Sequence, residues 1–338
     1  MGASRWLIYA LGGGLGHLTR ASALARVAAR RGHLVSLVTN SPFAPGLPLE
    51  PLLGPGVAVH RLDASWDKPA VVAEVARLWT SAPWDVLVVD TFPRGLAGEL
   101  PPLLAATRAL PVLVHRDLNP EYVARFQLAQ AVDAFALLLV PGEPAPFAAH
   151  PRAVRTAPWL LLEREALLSR EDARRELGAG DDSRPLVVVA GCGRAEEVEE
   201  MGRIATRLEE GLGAQARVRW VVPPGFTSPD FTSPGAALPV WPLLARLPGV
   251  DVLVGAGGYN TVREARATGT PLVALARPRR YDRQAMRLRP EERVADAEAV
   301  LARVQELLPP RPHLPAEADA FRGAHAAVEH IERALLSA

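Results

Sequence analysis

Short runs of Val, Ile and Leu recur along the chain, each separated from the next by a longer stretch of helical spacing. The runs are Trp6–Leu11, Leu34–Thr39, Val57–Leu62, Val86–Asp90, Pro111–His115 and Phe135–Val140, and later Leu186–Ala190, Val218–Val222, Val250–Val254 and Leu272–Ala276. Apolar runs this short, without polar alternation, suit strands buried on both faces of a parallel sheet. The segments between them read as amphipathic helices. In Leu18–Arg31, for example, Leu24, Val27 and Ala28 share one face while several Arg lie on another, and Gly32 follows as a C-terminal stop. This alternation predicts an α/β protein built on parallel sheets.

The rhythm pauses between residues 142 and 184. PGEPAPFAAHP reads as loop, VRTAPWLL as one more strand, and SREDARRELG as a helix capped by Ser169, with Glu171 and Asp172 in its first turn and Gly178 at its end. At 338 residues the chain has room for about two domains. The expected division is 1–157, 158–315 and a terminal helical stretch, 316–338, that packs back onto the first domain. PPGFTSPDFTSPG (223–235) contains a near-duplicate FTSP, too short for a repeat architecture, and reads as surface loop.

Composition excludes several classes. Apolar residues make up 49% and charged residues 22%, which rules out a disordered or fibrous chain. The 38 basic and 37 acidic residues leave a net charge of +1, so no global field steers the chain toward nucleic acid, and any anion must be held locally. A single cysteine, Cys192, precludes an internal disulfide and fits a reducing compartment. The apolar run near the start is too short to span a bilayer and lacks the layout of a signal peptide. The expected location is cytoplasmic, with peripheral membrane contact left open.

Two loops carry the chemistry. In LGGGLGHLTRA (11–21) a strand runs into Gly12, Gly13, Gly14 and Gly16 and then into a helix, whose free N–H groups and positive end suit an anion. A dinucleotide fingerprint fits poorly. The position that needs the third glycine is His17, and the second strand ends Val38–Thr39–Asn40 without the acid that would grip a ribose. His17, where loop meets helix, is placed to take a proton from an acceptor hydroxyl; its plain alternative is a histidine satisfied by a carbonyl.

The second loop is the more specific. In VDVLVGAGGYNTVREARATGTPLVALARPRRYDRQAMR (250–287) a buried strand enters Gly255, Gly257 and Gly258, and Asn260 and Thr261 are expected to cap the next helix beside its free N–H groups. Glu264, one turn in, suits two ribose hydroxyls. Beyond the next strand lie Arg277–Arg280, Asp282 and Gln284, positioned for sugar hydroxyls. Each residue alone has an ordinary explanation as solvated helix or loop polarity; the ordered set is what points to a nucleotide sugar.

GGGLGHLTRA and GAGGYNTVREA…GTPLVALARPRRYDRQA resemble the paired signatures of GT-B glycosyltransferases with a family 28-type C-terminal domain, a group that includes the N-acetylglucosaminyltransferase of the lipid-linked peptidoglycan precursor. VVDTFPRGLAGELPPLLAATRALPVLVHRDLNP (88–120) is similar to an uncharacterised group of glycosyltransferases of that fold. The resemblance implies two Rossmann-like parallel-sheet domains facing across a cleft. It also implies a bacterial, metal-independent, inverting enzyme without a cofactor that moves a sugar from a nucleoside diphosphate donor, UDP or dTDP, to an acceptor hydroxyl. By similarity Gly257, Gly258, Asn260 and Thr261 would hold the diphosphate, Glu264 the ribose, and Asp282 and Gln284 the sugar, with His17 at the reaction centre. Gly14, Gly16, Gly193 and Arg194 complete the expected donor contacts, and Arg279 and Arg280 are further candidates for the leaving charge.

The sequence departs from the peptidoglycan enzyme in three places. Ala285 stands where that enzyme has a second glutamine, Gly14–Leu15–Gly16–His17 replaces its Thr-Gly-Gly-His, and the loop Ala190–Arg194 carries Cys192, read as a small turn residue. Donor sugar and acceptor therefore do not transfer from it. Asp90, Arg94, Arg116 and Asp117 follow strands of the first domain and are candidates to orient the base or meet the acceptor; His17 and Asp117 are the expected catalytic residues, the base being His17 or a carboxylate near it. There is no H-E-x-x-H, C-x-x-C pair, G-x-S-x-G, Walker lysine or convincing Asp-x-Asp. Alternatives on the same fold are a nucleotide-sugar hydrolase or epimerase and a non-catalytic subunit.

Overall fold

The computed structural model describes residues 2–226, 237–308, 317 and 319–337, so most of the FTSP segment lies outside the described residues. The chain divides into two compact units. Unit 1 comprises residues 1–161, 280–282 and 322–338; unit 2 comprises 162–279 and 283–321.

Unit 1 is built on seven strands: β1 (Arg5–Ala10), β2 (Leu34–Thr39), β3 (Val57–Arg61), β4 (Val86–Asp90), β5 (Leu110–Val114), β6 (Leu137–Pro141) and β7 (Ala153–Thr156). All pair in parallel, in the order β3-β2-β1-β4-β5-β6-β7. Every residue of β4 is buried, and so is all of β1 beyond Arg5, as expected for a sheet covered by helices on both faces. One face packs Leu7, Tyr9, Leu87 and Val89 against Val71, Val75 and Trp79 of the helix Lys68–Thr80. The terminal helix Gly323–Leu336 belongs to this unit. Its Glu332 takes a bidentate bond from Arg31 and a third from His33 at 3.0 Å.

Unit 2 carries β8 (Leu186–Ala190), β9 (Arg217–Val222), β10 (Leu238–Pro239), β11 (Val252–Ala256), β12 (Leu272–Leu275) and β13 (Arg293–Val294), again all parallel, in the order β10-β9-β8-β11-β12-β13. Val198, Met201, Ile204, Ala205 and Leu208, on one face of the helix Ala195–Leu212, bury against it. The helix Arg170–Glu176 begins as its sequence predicts: the Ser169 hydroxyl accepts from the Asp172 amide at 3.1 Å.

In each sheet the chain starts in the middle, winds to one edge, then returns and winds to the other. The reversal falls between β1 and β4 in unit 1 and between β8 and β11 in unit 2. At such a reversal the connections leave the carboxyl ends of neighbouring strands in opposite directions and open a crevice for ligands. Both glycine loops singled out in the sequence follow strands at these positions.

Candidate functional site

In unit 1 the helix Leu15–Arg30 starts directly after Gly14, earlier than the apolar periodicity alone suggests, and this places His17 in its first turn. No side chain caps that end. A Cβ on Gly12 would stand 2.4 Å from His17 Cδ2, so only glycine leaves room for the ring. The loop is tied down by the Gly12 amide, which donates to Asn40 Oδ1 at 2.8 Å.

His17 Nδ1 lies 2.6 Å from Asp90 Oδ2, at the end of β4. Arg20, one turn along the same helix, donates to both carboxylate oxygens: Nε to Oδ1 at 2.8 Å and Nη2 to Oδ2 at 2.6 Å. The side chains of Arg20 and Asp90 are 0% and 1% exposed, and that of His17 is 17% exposed. Burial by itself would raise the Asp90 carboxyl, but the Arg20 charge and the hydrogen bonds from His17 and Arg20 outweigh it and hold Asp90 well below the usual carboxylate range. A carboxylate can only accept, so the network assigns the Nδ1 proton to the bond with Asp90 and leaves the lone pair on Nε2. Nε2 has no hydrogen-bond partner among the described residues. Burial lowers the imidazole below its ordinary value; Asp90 opposes this, and Arg20 and Arg116 add to it. The ring is therefore neutral at pH 7, oriented and open at one nitrogen, the state a general base requires.

Of the acids expected to orient the base, Asp90 is the one that bonds His17. Asp117 lies on the loop after β5, and its amide donates to Glu143 Oε1 at 3.3 Å. Arg116 bonds the same oxygen at 2.8 Å, and both residues are buried. His115 on this loop is fully buried, and burial pushes it down to about 4. Arg94 donates to the Phe126 carbonyl at 3.1 Å. Arg20 escaped the sequence reading, although its spacing of three from a candidate base on one helix face was a usable signal.

In unit 2 the helix Tyr259–Thr268 follows β11 through Gly257 and Gly258. Its N-cap is Gly258, without a side-chain hydrogen bond, so Asn260 and Thr261 do not cap it as expected: they fall inside the first turn, where their backbone is already helical. The Thr261 hydroxyl instead bonds the Cys192 thiol, which burial pushes up. A Cβ on Gly257 would stand 3.2 Å from Gln284 and Leu288, which accounts for glycine there.

Glu264 is 9% exposed, and its carboxyl has no hydrogen-bond partner or opposite charge among the described residues. Burial alone pushes it up to about 8. A carboxyl so placed is costly unless something else satisfies it. Beside it, the loop after β8 holds Gly193 at φ +125°, where a Cβ would strike Glu197 Oε2. The Arg194 amide donates to that oxygen at 3.0 Å and its side chain is exposed, while Arg279 pairs with the same carboxylate. Gln284 is buried and its Oε1 accepts the Arg277 amide at 3.0 Å. Asp282, two residues away, groups with unit 1 together with Arg280. A shallow recess bounded by Thr270, Pro271, Arg289 and Glu291 opens at the amino end of β12, opposite the glycine loops, and includes none of the candidate residues.

Among the described residues no helix is long and apolar enough to cross a membrane, and no group of three or more His, Cys, Asp or Glu side chains is placed to hold a metal ion.

The two parallel Rossmann-like sheets are those of the GT-B fold. The structure of the glycotransferase of kitacinnamycin matches 98% of the chain over 99% of its own length, at a TM-score of 0.64 and 17% identity. The glycosyltransferase SnogD from Streptomyces nogalater matches 99% of the chain over 97% of its length, at 0.55 and 16%. A putative UDP-N-acetylglucosamine 2-epimerase from Listeria monocytogenes matches 100% of the chain over 98% of its length, at 0.66 and 11%. At these identities the likeness establishes the fold. No protein-family model matches the chain, and no curated protein matches it.

Proposed function

We propose that the protein is a glycosyltransferase that moves a sugar from a UDP or dTDP sugar to an acceptor hydroxyl with inversion and without a metal ion. The observation that carries this reading is the unpartnered buried carboxyl of Glu264, one turn inside an uncapped helix that follows a glycine turn. In this reading the free amides of that helix end receive the diphosphate, with Gly257, Gly258, Asn260 and Thr261 forming the cradle. Glu264 accepts the ribose hydroxyls. Gly193 and Arg194 border the same ligand, and Asp282 and Gln284 face the sugar, with the Gln284 oxygen already bracing its own loop.

Unit 1 supplies the base. His17 Nε2 takes the proton of the acceptor hydroxyl, whose oxygen attacks the anomeric carbon. The bond from that carbon to the diphosphate breaks, and its electron pair leaves with the nucleoside diphosphate. Asp90 keeps the imidazole in the required tautomer and stabilises the imidazolium that forms. Asp117, Gly14 and Gly16 lie at the same strand edge as His17 and complete the proposed surroundings of the reacting groups. The leaving charge is met by helix ends and Arg side chains. A cytoplasmic location fits the use of a nucleotide sugar.

The test is titration of UDP and dTDP into wild-type protein and into Glu264→Gln. Losing charge-assisted bonds to two hydroxyls is expected to weaken the preferred nucleotide about 10- to 100-fold. Equal affinity in the two proteins removes the ribose assignment and the reading with it. The epimerase among the fold relatives supports a second reading, nucleotide-sugar epimerisation at the same unit 2 site. Deuterium entering C2 of a UDP sugar in D2O, without an acceptor, would select it.

A further inference from the structure

We propose that unit 1 seats a hydroxylated aromatic acceptor, a phenol, on the ring cluster of Phe92, Tyr122 and Tyr281 beside His17. This rests on the transferase reading and adds to it the chemical class of the acceptor. The imidazole of His17 stacks on Phe92 with centroids 5.3 Å apart. Phe92 meets Tyr122 edge-on at 6.1 Å and Tyr281 at 5.4 Å, and the two tyrosines meet each other at 5.0 Å. Tyr281 is fixed by its carbonyl, which accepts the Asn119 amide at 2.8 Å. The rings therefore run without a break from the base to Tyr281, which is 38% exposed. Aromatic residues make up only 6% of the chain, yet two of its four tyrosines stand here.

Phe92 and Tyr122 also pack on Leu118 and Leu128, and the hydroxyls set this cluster apart from the deep core of the sheet. Tyr9, which is core, donates its hydroxyl to Glu99 at 2.5 Å and accepts the Leu96 amide at 3.0 Å. Neither Tyr122, half-buried, nor Tyr281, exposed, has a hydroxyl partner among the described residues, so both hydroxyls are available to a ligand. The Arg280 guanidinium stands 5.4 Å over the Tyr281 ring, and Arg94 and Arg280 both act on the Tyr122 hydroxyl. The surface thus combines aromatic faces, two free hydroxyls and a cationic rim, the complement of a flat, electron-rich ring bearing oxygens.

The acid–base chemistry agrees. A phenol ionises near 10, as tyrosine does, against about 16 for a water-like hydroxyl, so a neutral imidazole of lowered basicity is far better matched to a phenol. In the transfer the phenolic proton passes to His17 Nε2 and the aryl oxygen bonds to the anomeric carbon. The bond from that carbon to the donor diphosphate breaks, and its electron pair leaves with the nucleoside diphosphate.

The experiment uses the full chain and two probes, 4-methylumbelliferone and quercetin, with cyclohexanol as aliphatic control. Binding is followed by fluorescence and calorimetry in wild type, Tyr281→Phe and Tyr281→Ala, with melting temperature and UDP or dTDP affinity measured on each. The expected result is saturable binding of at least one phenol, none of cyclohexanol, retention in Tyr281→Phe and at least a tenfold loss in Tyr281→Ala with nucleotide affinity unchanged. No saturable binding of either phenol, equal binding in Tyr281→Ala, or competition by cyclohexanol overturns the proposal. Because nucleotide affinity is read separately, failure here leaves the Glu264 titration to judge the transferase reading.

Discussion

The two units place similar devices on either side of the strand-order reversal and satisfy them in opposite ways. Each has a glycine turn leaving a central parallel strand and entering a helix that no side chain caps. In unit 1 the buried acid, Asp90, is saturated by its own fold, held by two bonds from Arg20 and one from His17. In unit 2 the buried acid, Glu264, has no partner among the described residues. A site whose task is proton transfer must be organised before the substrate arrives, because reorganisation would be charged to the barrier. A site whose task is to recognise hydroxyls must leave its acceptor unmet until they come. On the proposed function, the contrast between a satisfied and an unsatisfied carboxyl is one between catalysis and binding.

Removing the base should separate the two sites most sharply. His17→Ala is expected to lower kcat by about 10²- to 10⁴-fold, with nucleoside diphosphate affinity unchanged. A parallel loss of nucleotide binding in a calorimetric titration would break the division of labour.

Removing the clamp strikes the satisfied acid. Arg20→Met leaves the Asp90 charge buried with one partner fewer and should cost about 3–5 kcal/mol of stability in denaturant unfolding. Asp90 is held low in the folded state, so its contribution is present at neutral pH and is lost as the pH falls below the usual carboxylate range. The wild type should therefore lose its advantage over Arg20→Met in acid; an advantage constant with pH would deny the ion pair its role.

Glu264 should show the opposite sign. Its folded value, about 8, lies above its ordinary 4.5, so the folded state holds a proton that the unfolded chain has released. Stability contributed by the protonated carboxyl is full below about 4.5 and falls as the pH rises toward 8, by about 1.4 kcal/mol per pH unit. Melting of wild type against Glu264→Gln across that window should reveal this slope in the wild type only, and saturating nucleotide should flatten it. Identical slopes in both proteins would mean that the carboxyl already has a partner.

The smallest effect is expected at the turn beneath the base. Gly12→Ala drives a methyl into the His17 ring and should cost about 1–3 kcal/mol of stability while reducing kcat. An unaltered kcat would show that the ring has slack.

Much of the architecture was legible because burial on both faces leaves its mark residue by residue. Leu34–Thr39, Val86–Asp90 and Leu186–Ala190 emerge as strands at the bounds their apolar runs suggest, and the glycine loops stand out as clusters of one residue type, of which Gly12, against the His17 ring, is the one most tightly held to glycine by its surroundings. Helix starts were less legible. Leu15–Arg30 begins before its apolar face does, since its first turn belongs to the loop and to His17 rather than to the core. Which of Asp90 and Asp117 would orient His17 stayed open for the same reason: both acids follow a strand, and nothing local distinguishes them.

The sequence by itself determined two parallel α/β units, the glycine turns and the residue types beside them, because these depend on spacing and backbone conformation along the chain. Tertiary structure alone decided which acid faces His17, that Arg20 clamps it, that Glu264 lies buried without a partner among the described residues, and that Tyr281 joins Phe92 and Tyr122. Those facts depend on strand order, which brings β1 beside β4 across a long stretch of chain, and on desolvation, which no single residue carries in its identity.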